Sequence, residues 1–391
     1  MMKSVIVAAK RTPFGRIGGH FKNMTASDLG GETIRALLEE KKEAKEVIDT
    51  VLLGNVLQGG QGQLPSRQAS FKGGLDWNVK TETINKVCAS GMRAVIEGDF
   101  LIRLGESEAV IAGGMESMSN APYFLENARF GHKMGNQSLK DLMMHDGLTC
   151  TFTGAAMGSY GDAAAEEFQL TREEQDEWAV RSHEQAALFY EKGYSNEEIV
   201  PVQVKNSKGS LFIEEDQSLR RNTTAEKLKK LKPAFNNGGT ITAGNAPGVN
   251  DGSASLMLMS QRKAYELGYR PLATIVDYTS LALQPKDFPK TPGLAIRKLL
   301  AKTGKKVEDI SLFEINEAFA AVALINMKTE GLQASKVNVN GGALAFGHPI
   351  GASGARILVT LIHELQRIGG GFGIASICSG GGQGDALMIK V

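Results

Sequence analysis

Ala89-Ser90-Gly91-Met92-Arg93 returns late in the chain as Ala352-Ser353-Gly354-Ala355-Arg356. In both places the pattern Ala-Ser-Gly-x-Arg opens a stretch of helical periodicity. In both, that stretch leads to an apolar run ending in glycines, Val110-Ile111-Ala112-Gly113-Gly114 in one and Ala375-Ser376-Ile377-Cys378-Ser379-Gly380 in the other. A five-residue match alone is weak in a chain with 46 glycines. The shared order of helix, strand and glycine turn makes it the mark of a duplicated half, and predicts that both glycine-rich helix starts lie near one pseudo-twofold axis.

Outward from these two sites the chain alternates short apolar runs with helical patterns, which predicts α/β architecture with crossover-connected parallel strands. The predicted strands are Val5 to Ala9, Thr50 to Gly54, Thr83 to Val87 and Ala109 to Gly113. In the last third they are Leu272 to Val276, Leu312 to Ile315, Val337 to Asn340, Gly373 to Cys378 and Ala386 to Lys390. Thr25 to Lys41, Ser90 to Leu104, Glu317 to Thr329 and Ser353 to Arg367 carry apolar residues at helical spacing.

The middle is different. It holds Pro122, a turn region from Gly131 to Gly135, and the capping box Thr171-Arg172-Glu173-Glu174 that opens a long polar helix to Glu191. A basic run follows: Lys205, Lys208, Arg220, Arg221, Lys227, Lys229, Lys230 and Lys232 against Glu214, Glu215, Asp216 and Glu226. It reads either as a solvated face or as local charge for a phosphate-bearing ligand. The expected division is residues 1–117 with 250–269 as an N-terminal half, 118–249 as an inserted loop domain, and 270–391 as a C-terminal half.

Three glycine-rich turns carry reactive side chains: Asn85-Lys86-Val87-Cys88-Ala89-Ser90, Gly347-His348-Pro349-Ile350-Gly351 and Cys378-Ser379-Gly380-Gly381-Gly382. Two thiols and an imidazole suggest acyl transfer, because a thiolate is the reactive form of cysteine and a helix N-terminus stabilises it. Cys150 is read as a buried small hydrophobe.

At 391 residues, with 42% hydrophobic and 22% charged side chains, the chain has ample interior to exclude water from a site. A net charge of +1 argues against a nucleic-acid partner. Three cysteines without paired spacing suit a reducing cytoplasm rather than a disulfide framework or structural zinc. Met1-Met2-Lys3 running straight into a strand leaves no room for a removable signal. Apolar stretches such as Ala318 to Ile325 fall far short of the ~18 residues of a membrane span, so no membrane partner is expected.

Together, Val87-Cys88-Ala89-Ser90-Gly91, Gly113-Gly114-Met115-Glu116-Ser117-Met118-Ser119, Thr242-Ala243-Gly244-Asn245, Asn316-Glu317-Ala318-Phe319, Gly347-His348-Pro349-Ile350-Gly351 and Cys378-Ser379-Gly380-Gly381-Gly382 closely resemble the thiolase family. The resemblance runs from Arg11-Thr12-Pro13-Phe14-Gly15 to the C-terminus, and is closest to bacterial acetyl-CoA acetyltransferases. It implies duplicated α/β halves in a layered α-β-α-β-α core with an inserted loop domain. It also implies ping-pong condensation of two acetyl-CoA into acetoacetyl-CoA and CoA, and the reverse thiolysis.

Carried over residue by residue, the resemblance makes Cys88 the acylated nucleophile and His348 its activating histidine. Cys378 becomes the base that takes a proton from the acetyl methyl group. Asn316 positions an oxyanion water and doubles as a helix N-cap, and one oxyanion hole falls to the N–H groups of Cys88 and Gly380. For CoA it implies Arg220 near the adenine. Met157, Phe235, Ala243, Gly244, Ala318, Phe319 and Phe288 then line the pantetheine and acyl tunnel.

No metal or organic cofactor is implied, CoA thioesters being substrates. Ala128 to Leu142 would join four copies into a homotetramer, a dimer of dimers. Three departures from the family pattern bear on substrate: Ala156 in place of histidine, Pro247 in place of serine, and Phe288-Pro289-Lys290-Thr291-Pro292-Gly293 near the acyl end. Rival readings are a longer-chain 3-ketoacyl-CoA thiolase of fatty-acid β-oxidation, a decarboxylating condensing enzyme, which Cys378 opposes, and a non-catalytic CoA or lipid binder.

Overall fold

In the first half the hydrogen-bonded strand order is Ser4–Arg11, Asn250–Ser260, Ala109–Ser117, Ile48–Gly54, Lys80–Ile84. In the second it is Ala273–Ala282, Gln383–Lys390, Phe372–Ser379, Ile310–Ile315, continued by one parallel bridge from Phe313 to Val337. These assignments come from a computed structural model that describes residues 3–206 and 209–391, so Met1, Met2 and the Lys208 of the basic run lie outside the described residues. The senses match step for step between the halves, antiparallel pairings first and parallel ones after. The halves join through the pairs Val5↔Thr274 and Ile6↔Ala273.

Side-chain alternation turns these strands into layers, because neighbouring residues of a strand face opposite ways. Ile6, Leu52, Val110, Leu256 and Leu258 face inward, where they meet Ile377 and Leu387 of the second half in one core. Their neighbours Val5, Val7, Val51, Leu53, Ile111 and Met257 face outward against Ile34 and Leu37, which belong to the helix Ala26–Glu40. The second half repeats this, with Phe313, Ile315, Ile374 and Met388 packed on Ile296, Leu299 and Ala323 of the helices Thr291–Thr303 and Ala320–Glu330. Between the two sheet halves run the helices Ser90–Leu104 and Ile350–Arg367, which contribute Val95, Ile96, Ile357 and Leu361 to the shared core. The succession is helix, sheet, helix, sheet, helix.

The repeated pattern sits where these two central helices touch. A Cβ on Gly91 would lie 2.9 Å from the Ala355 nitrogen, and one on Gly354 would lie 2.5 Å from the Met92 nitrogen. Each helix start therefore needs the other's glycine, and the predicted axis passes between them.

Three expectations need correction. Val337 to Asn340 is not a strand: Asn338 takes φ 47°, and its side-chain amide supplies the ladder bonds instead, accepting from Ile315 N at 2.8 Å and donating to Ile315 O at 2.8 Å. The strand predicted to reach Val87 ends at Ile84, because Val87 turns into the left-handed region at φ 47°. Asn316 does not cap a helix. The helix starts only at Ala320, after an extended Phe319, since Glu317 is drawn inward by Trp178, Ser182 and Asn338. Asn250–Ser260, not among the predicted strands, is a fully buried strand; the polar groups at its start find partners in Gly15, Ser119 and Gly114.

Residues 118–249 form the excursion between strands Ala109–Ser117 and Asn250–Ser260. Its long helix Arg172–Glu191 opens at the predicted capping box, with Thr171 and Glu174 bonding each other's backbone. Fully buried Arg11 ties the excursion to the first strand through Glu198 at 2.6 Å and Asp216 at 2.8 Å, so Asp216 leaves the acidic side of the surface run.

Gly354→Ala is the direct test of the helix contact. Alanine ordinarily favours a helix over glycine by ~1 kcal/mol, but here the added methyl strikes backbone, and overpacking of that kind costs roughly 1–3 kcal/mol. The expected result in a denaturant melt is a net loss of stability; an unchanged or raised midpoint would mean the helices have room to spare.

Candidate active site

The nucleophile turn is built by local strain and two braces. Val87 at φ 47° is an unfavourable conformation for a β-branched residue, and it lifts Cys88 off the end of its strand. Ser90 holds the turn, its Oγ accepting from Lys86 N at 2.8 Å and donating to Val87 O at 2.6 Å. From the other half, Ser379 Oγ donates to Lys86 O at 2.6 Å, and Lys86 Nζ pairs with buried Asp385 at 2.7 Å. Cys88 and Cys378 are thus tied together through their immediate chain neighbours.

Cys378 lies near the end of strand Phe372–Ser379 and is 1% exposed. The glycine turn after it is obligatory at Gly382, whose φ is 78° and whose missing Cβ would sit 2.5 Å from Gln284 O. The Gly380 N–H and the Cys88 N–H are both directed at the Cys88 sulfur.

His348 enters from the third turn. Gly347, at φ 116°, leaves no space for a side chain against Asn250, and Asn250 Oδ1 accepts from His348 N at 2.9 Å. Past the proline, Gly351 N donates to Glu116 at 2.9 Å, a buried carboxylate that also accepts from Val56 N, Leu57 N and Asn55. Nδ1 of His348 is 2.6 Å from Ser353 Oγ. Asn316 is fully buried, with its amide nitrogen 3.5 Å from His348 Nδ1 and its amide oxygen 3.5 Å from Arg356.

A cavity of about 190 Å³ brings together Cys88, His348, Cys378 and Gly380, and its wall includes Met157, Phe235, Phe288, Ala318 and Phe319. Asn316 stands behind His348 rather than in the wall. Three expected CoA contacts lie outside it: Arg220 and Ala243 are exposed, and Gly244 packs on Leu228 and Leu231. Sequence reasoning did not foresee Met118, Met144, Gly147, Leu148, Val249 and Ile350, which close the cavity around the thiol. Met118 and Ile350 lie inside quoted motifs but without a role read from them, and Met144, Gly147 and Leu148 share the segment Met143–Leu148, which carries no motif; only the fold brings them together. Ala156 and Pro247, noted as departures, are also in the wall. Among the described residues, no group of three or more His, Cys, Asp or Glu is arranged to hold a metal.

Burial decides the protonation states. Desolvation pushes the Cys88 thiol up to about 12, outweighing the two N–H groups that favour its anion, so the helix start does not make a resting thiolate. Burial, helped by the Arg356 charge, pulls His348 down to about 3. Burial and the nearby Cys88 raise Cys378 well above the ordinary thiol range. At neutral pH the site therefore holds two thiols and a neutral imidazole, which is free to accept a proton. Because the unfolded histidine would titrate near 6.5, its contribution to stability is present above that value and is lost as the pH falls below it.

Duplicated halves with two cysteines and a histidine converging on one apolar cavity define a thiolase-type acyl-transfer site. The comparisons agree. The description "Thiolase, N-terminal domain" matches residues 4–262 and "Thiolase, C-terminal domain" matches residues 269–391. The chain belongs to the thiolase family. It is 45% identical over 391 residues to a "Probable acetyl-CoA acetyltransferase" of Mycobacterium leprae (strain TN), covering 100% of both chains. It is likewise 45% identical to a "Probable acetyl-CoA acyltransferase" of Staphylococcus epidermidis (strain RP62A), covering 100% of this chain and 99% of that one. Among solved structures, the Bacillus anthracis acetyl-CoA acetyltransferase superposes with a TM-score of 0.97 at 43% identity, covering 100% of this chain and 99% of that one.

The raised Cys88 thiol sets a pH dependence. In the ligand-free protein, alkylation of Cys88 by iodoacetamide, followed by peptide mass spectrometry, should still be accelerating beyond about pH 9.5, past the ordinary thiol value. A rate that levels off near neutrality would show a resting thiolate and contradict the electrostatic account.

Proposed function

We propose that this enzyme is an acetyl-CoA C-acetyltransferase working by a ping-pong Claisen condensation, and by thiolysis in reverse, through an acetyl-Cys88 intermediate. The observation that carries this reading is the shared cavity of Cys88, His348 and Cys378, with the Gly380 N–H directed at the Cys88 sulfur. His348 accepts the thiol proton as the Cys88 sulfur attacks the thioester carbonyl, and that proton leaves on CoA. The carbonyl oxygen, gaining negative charge, meets the N–H groups of Cys88 and Gly380, fixed donors in a site that excludes water.

The second half-reaction uses Cys378. Its ionisation is opposed by burial and by Cys88; acetylating Cys88 removes that sulfur's charge, so Cys378 becomes easier to ionise once the acyl group is in place. The Cys378 thiol gives its proton to His348, neutral again once CoA has left. The thiolate takes a methyl proton from the second acetyl-CoA, and the resulting carbanion attacks acetyl-Cys88. Cys378 passes the methyl proton to the departing Cys88 sulfur, and His348 returns the first proton to Cys378. Asn316 and His348 stand behind the position of the enolate oxygen. The chemistry needs no metal or organic cofactor.

The same reading takes in the rest of the chain. Arg220 and the exposed lysines of the excursion suit the CoA phosphates, with Ala243 and Gly244 along the outer arm. The division into 1–117 with 250–269, 118–249 and 270–391 is supported by the insertion of strand Asn250–Ser260 beside Ser4–Arg11. Exposed Tyr123, Phe130, Met134 and Leu139 suit assembly into a homotetramer. A cytoplasmic location in fatty-acid metabolism, without nucleic-acid or membrane partners, fits a chain in which no described helix is long and apolar enough to cross a membrane.

One observation favours a second reading, a 3-ketoacyl-CoA thiolase for longer chains: the wall around the thiol is apolar, with Met118, Leu148, Val249 and Ile350. Comparing kcat/KM for acetoacetyl-CoA and 3-ketooctanoyl-CoA separates the two, and a tenfold preference for the longer substrate would reverse the order.

Two variants test the assignment of the sulfurs. Mass spectrometry after incubation with acetoacetyl-CoA should show an acetyl adduct on Cys88 that is abolished in Cys88→Ala. Cys378→Ala should still form the adduct when acetyl-CoA is the donor, while condensation falls by at least about 100-fold, the lower end of what a general base contributes. Full condensation in Cys378→Ala would remove Cys378 from the mechanism.

A further inference from the structure

The two serines of the repeated Ala-Ser-Gly-x-Arg pattern take no part in the chemistry above, yet each touches a catalytic turn. Ser90 Oγ bonds Lys86 N and Val87 O across the turn that presents Cys88. Ser353 Oγ lies 2.6 Å from His348 Nδ1 and donates to Pro349 O at 2.9 Å. Both are buried, at 0% and 1% exposure. The duplication has put one hydroxyl at the start of each central helix, reaching back over the residues that precede it.

We infer that Ser90 and Ser353 are paired positioning residues: Ser90 holds the left-handed turn that presents the Cys88 sulfur, and Ser353 fixes His348 in the tautomer that leaves Nε2 free in the cavity. The inference rests on the reading of His348 as the acceptor of the Cys88 proton.

The hydroxyl count decides the tautomer. A serine has one O–H to give, and of its two partners Pro349 O, the i−4 carbonyl of its own helix, can only accept, whereas His348 Nδ1 can donate; the hydroxyl hydrogen is therefore assigned to Pro349 O. Its oxygen can then only accept from His348, so Nδ1 carries the hydrogen and Nε2 carries the lone pair. The competing neighbour at Nδ1 is the Asn316 amide, whose 3.5 Å separation is too long to outweigh a 2.6 Å hydroxyl contact. The nearby charge is Arg356, also buried, paired with Glu314 at 3.2 Å; like the two thiols, it offers His348 no carboxylate that would hold an imidazolium. A neutral histidine with a defined tautomer is what a proton acceptor for a thiol requires.

Ser90 acts on the other partner. Val87 is held at φ 47° by two bonds to one hydroxyl. Without it, the turn loses its tie between Lys86 and the helix start, and the sulfur drifts from the N–H groups directed at it. Loss of either serine should spare the fold of the half it sits in, because the helix contacts through Gly91 and Gly354 remain.

The test is nitrogen NMR of protein labelled with ¹⁵N-histidine, with the His348 signals assigned by their disappearance in His348→Asn. In the native enzyme near neutral pH, His348 should show a protonated Nδ1 and an unprotonated Nε2. In Ser353→Ala the two nitrogens should move toward mixed tautomers, and kcat should fall by about 10- to 100-fold, as on loss of a residue that orients a functional histidine, with KM changed far less. Ser353→Thr, which keeps the hydroxyl, should restore both. Ser90→Ala should slow acetylation of Cys88 while leaving the His348 signals native.

A native His348 protonated at Nε2 would overturn the inference whether or not any variant folds, and so would a Ser353→Ala enzyme with native signals and native kcat. Failure of the underlying reading looks different: native enzyme that forms no acetyl-Cys88 at all refutes the acyltransferase mechanism, whereas acetyl-Cys88 formed beside an Nε2-protonated His348 refutes only the role of Ser353.

Discussion

Two helix starts meet across glycines, with backbone nitrogen where a methyl group would otherwise sit. Gly91 and Gly354 each occupy space that a methyl group would need against the other helix. That contact sets the distance between the halves, and everything reactive is placed relative to it: Cys88 precedes one helix, His348 precedes the other, and Cys378 ends the strand that follows the second. The active site is therefore a property of the interface between duplicated halves, and neither half contains it alone.

Gene-style duplication also explains why the site is asymmetric. The strand ends Gly54-Asn55 and Ile315-Asn316 correspond in the two halves, as do the turns before the central helices. In one half the buried carboxylate of Glu116 accepts from Val56, Leu57 and Gly351; in the other, the comparable region holds Cys378. One copy of the cradle is filled by the Glu116 side chain, which locks the His348 turn, while the other opens on the cavity shared by Cys88, His348 and Cys378. Burial then works for the chemistry: it keeps both thiols and the imidazole uncharged at rest, so that charge arises only during reaction, where fixed N–H groups meet it.

Much of this was legible in the chain because short-range patterns carried it. Alternating apolar runs marked most strands, the Thr171 box marked its helix, and the glycine-flanked Cys88, His348 and Cys378 marked the site. What escaped was held by long-range partners. Asn250–Ser260 is a strand because Gly15, Ser119 and Gly114 satisfy its polar opening. Val337 to Asn340 fails to be one because the Asn338 side chain replaces the ladder. The helix-start argument for a Cys88 thiolate failed for a related reason: a local dipole is visible in sequence, whereas the burial that overrides it is supplied by loops from elsewhere. Met144, Leu148 and Val249 belong to that same class of residue, given meaning only by the fold.

The central claim is that one sulfur carries the acyl group in front of N–H donors contributed by both halves while the other faces its methyl side. A crystal structure of the enzyme frozen after exposure to acetyl-CoA tests it most directly. The account predicts an acetyl group on Cys88 Sγ, its carbonyl oxygen within hydrogen-bond reach of both the Cys88 and Gly380 nitrogens and its methyl beside Cys378. An acetyl group on Cys378 instead, or a carbonyl oxygen turned away from those two nitrogens, would contradict it.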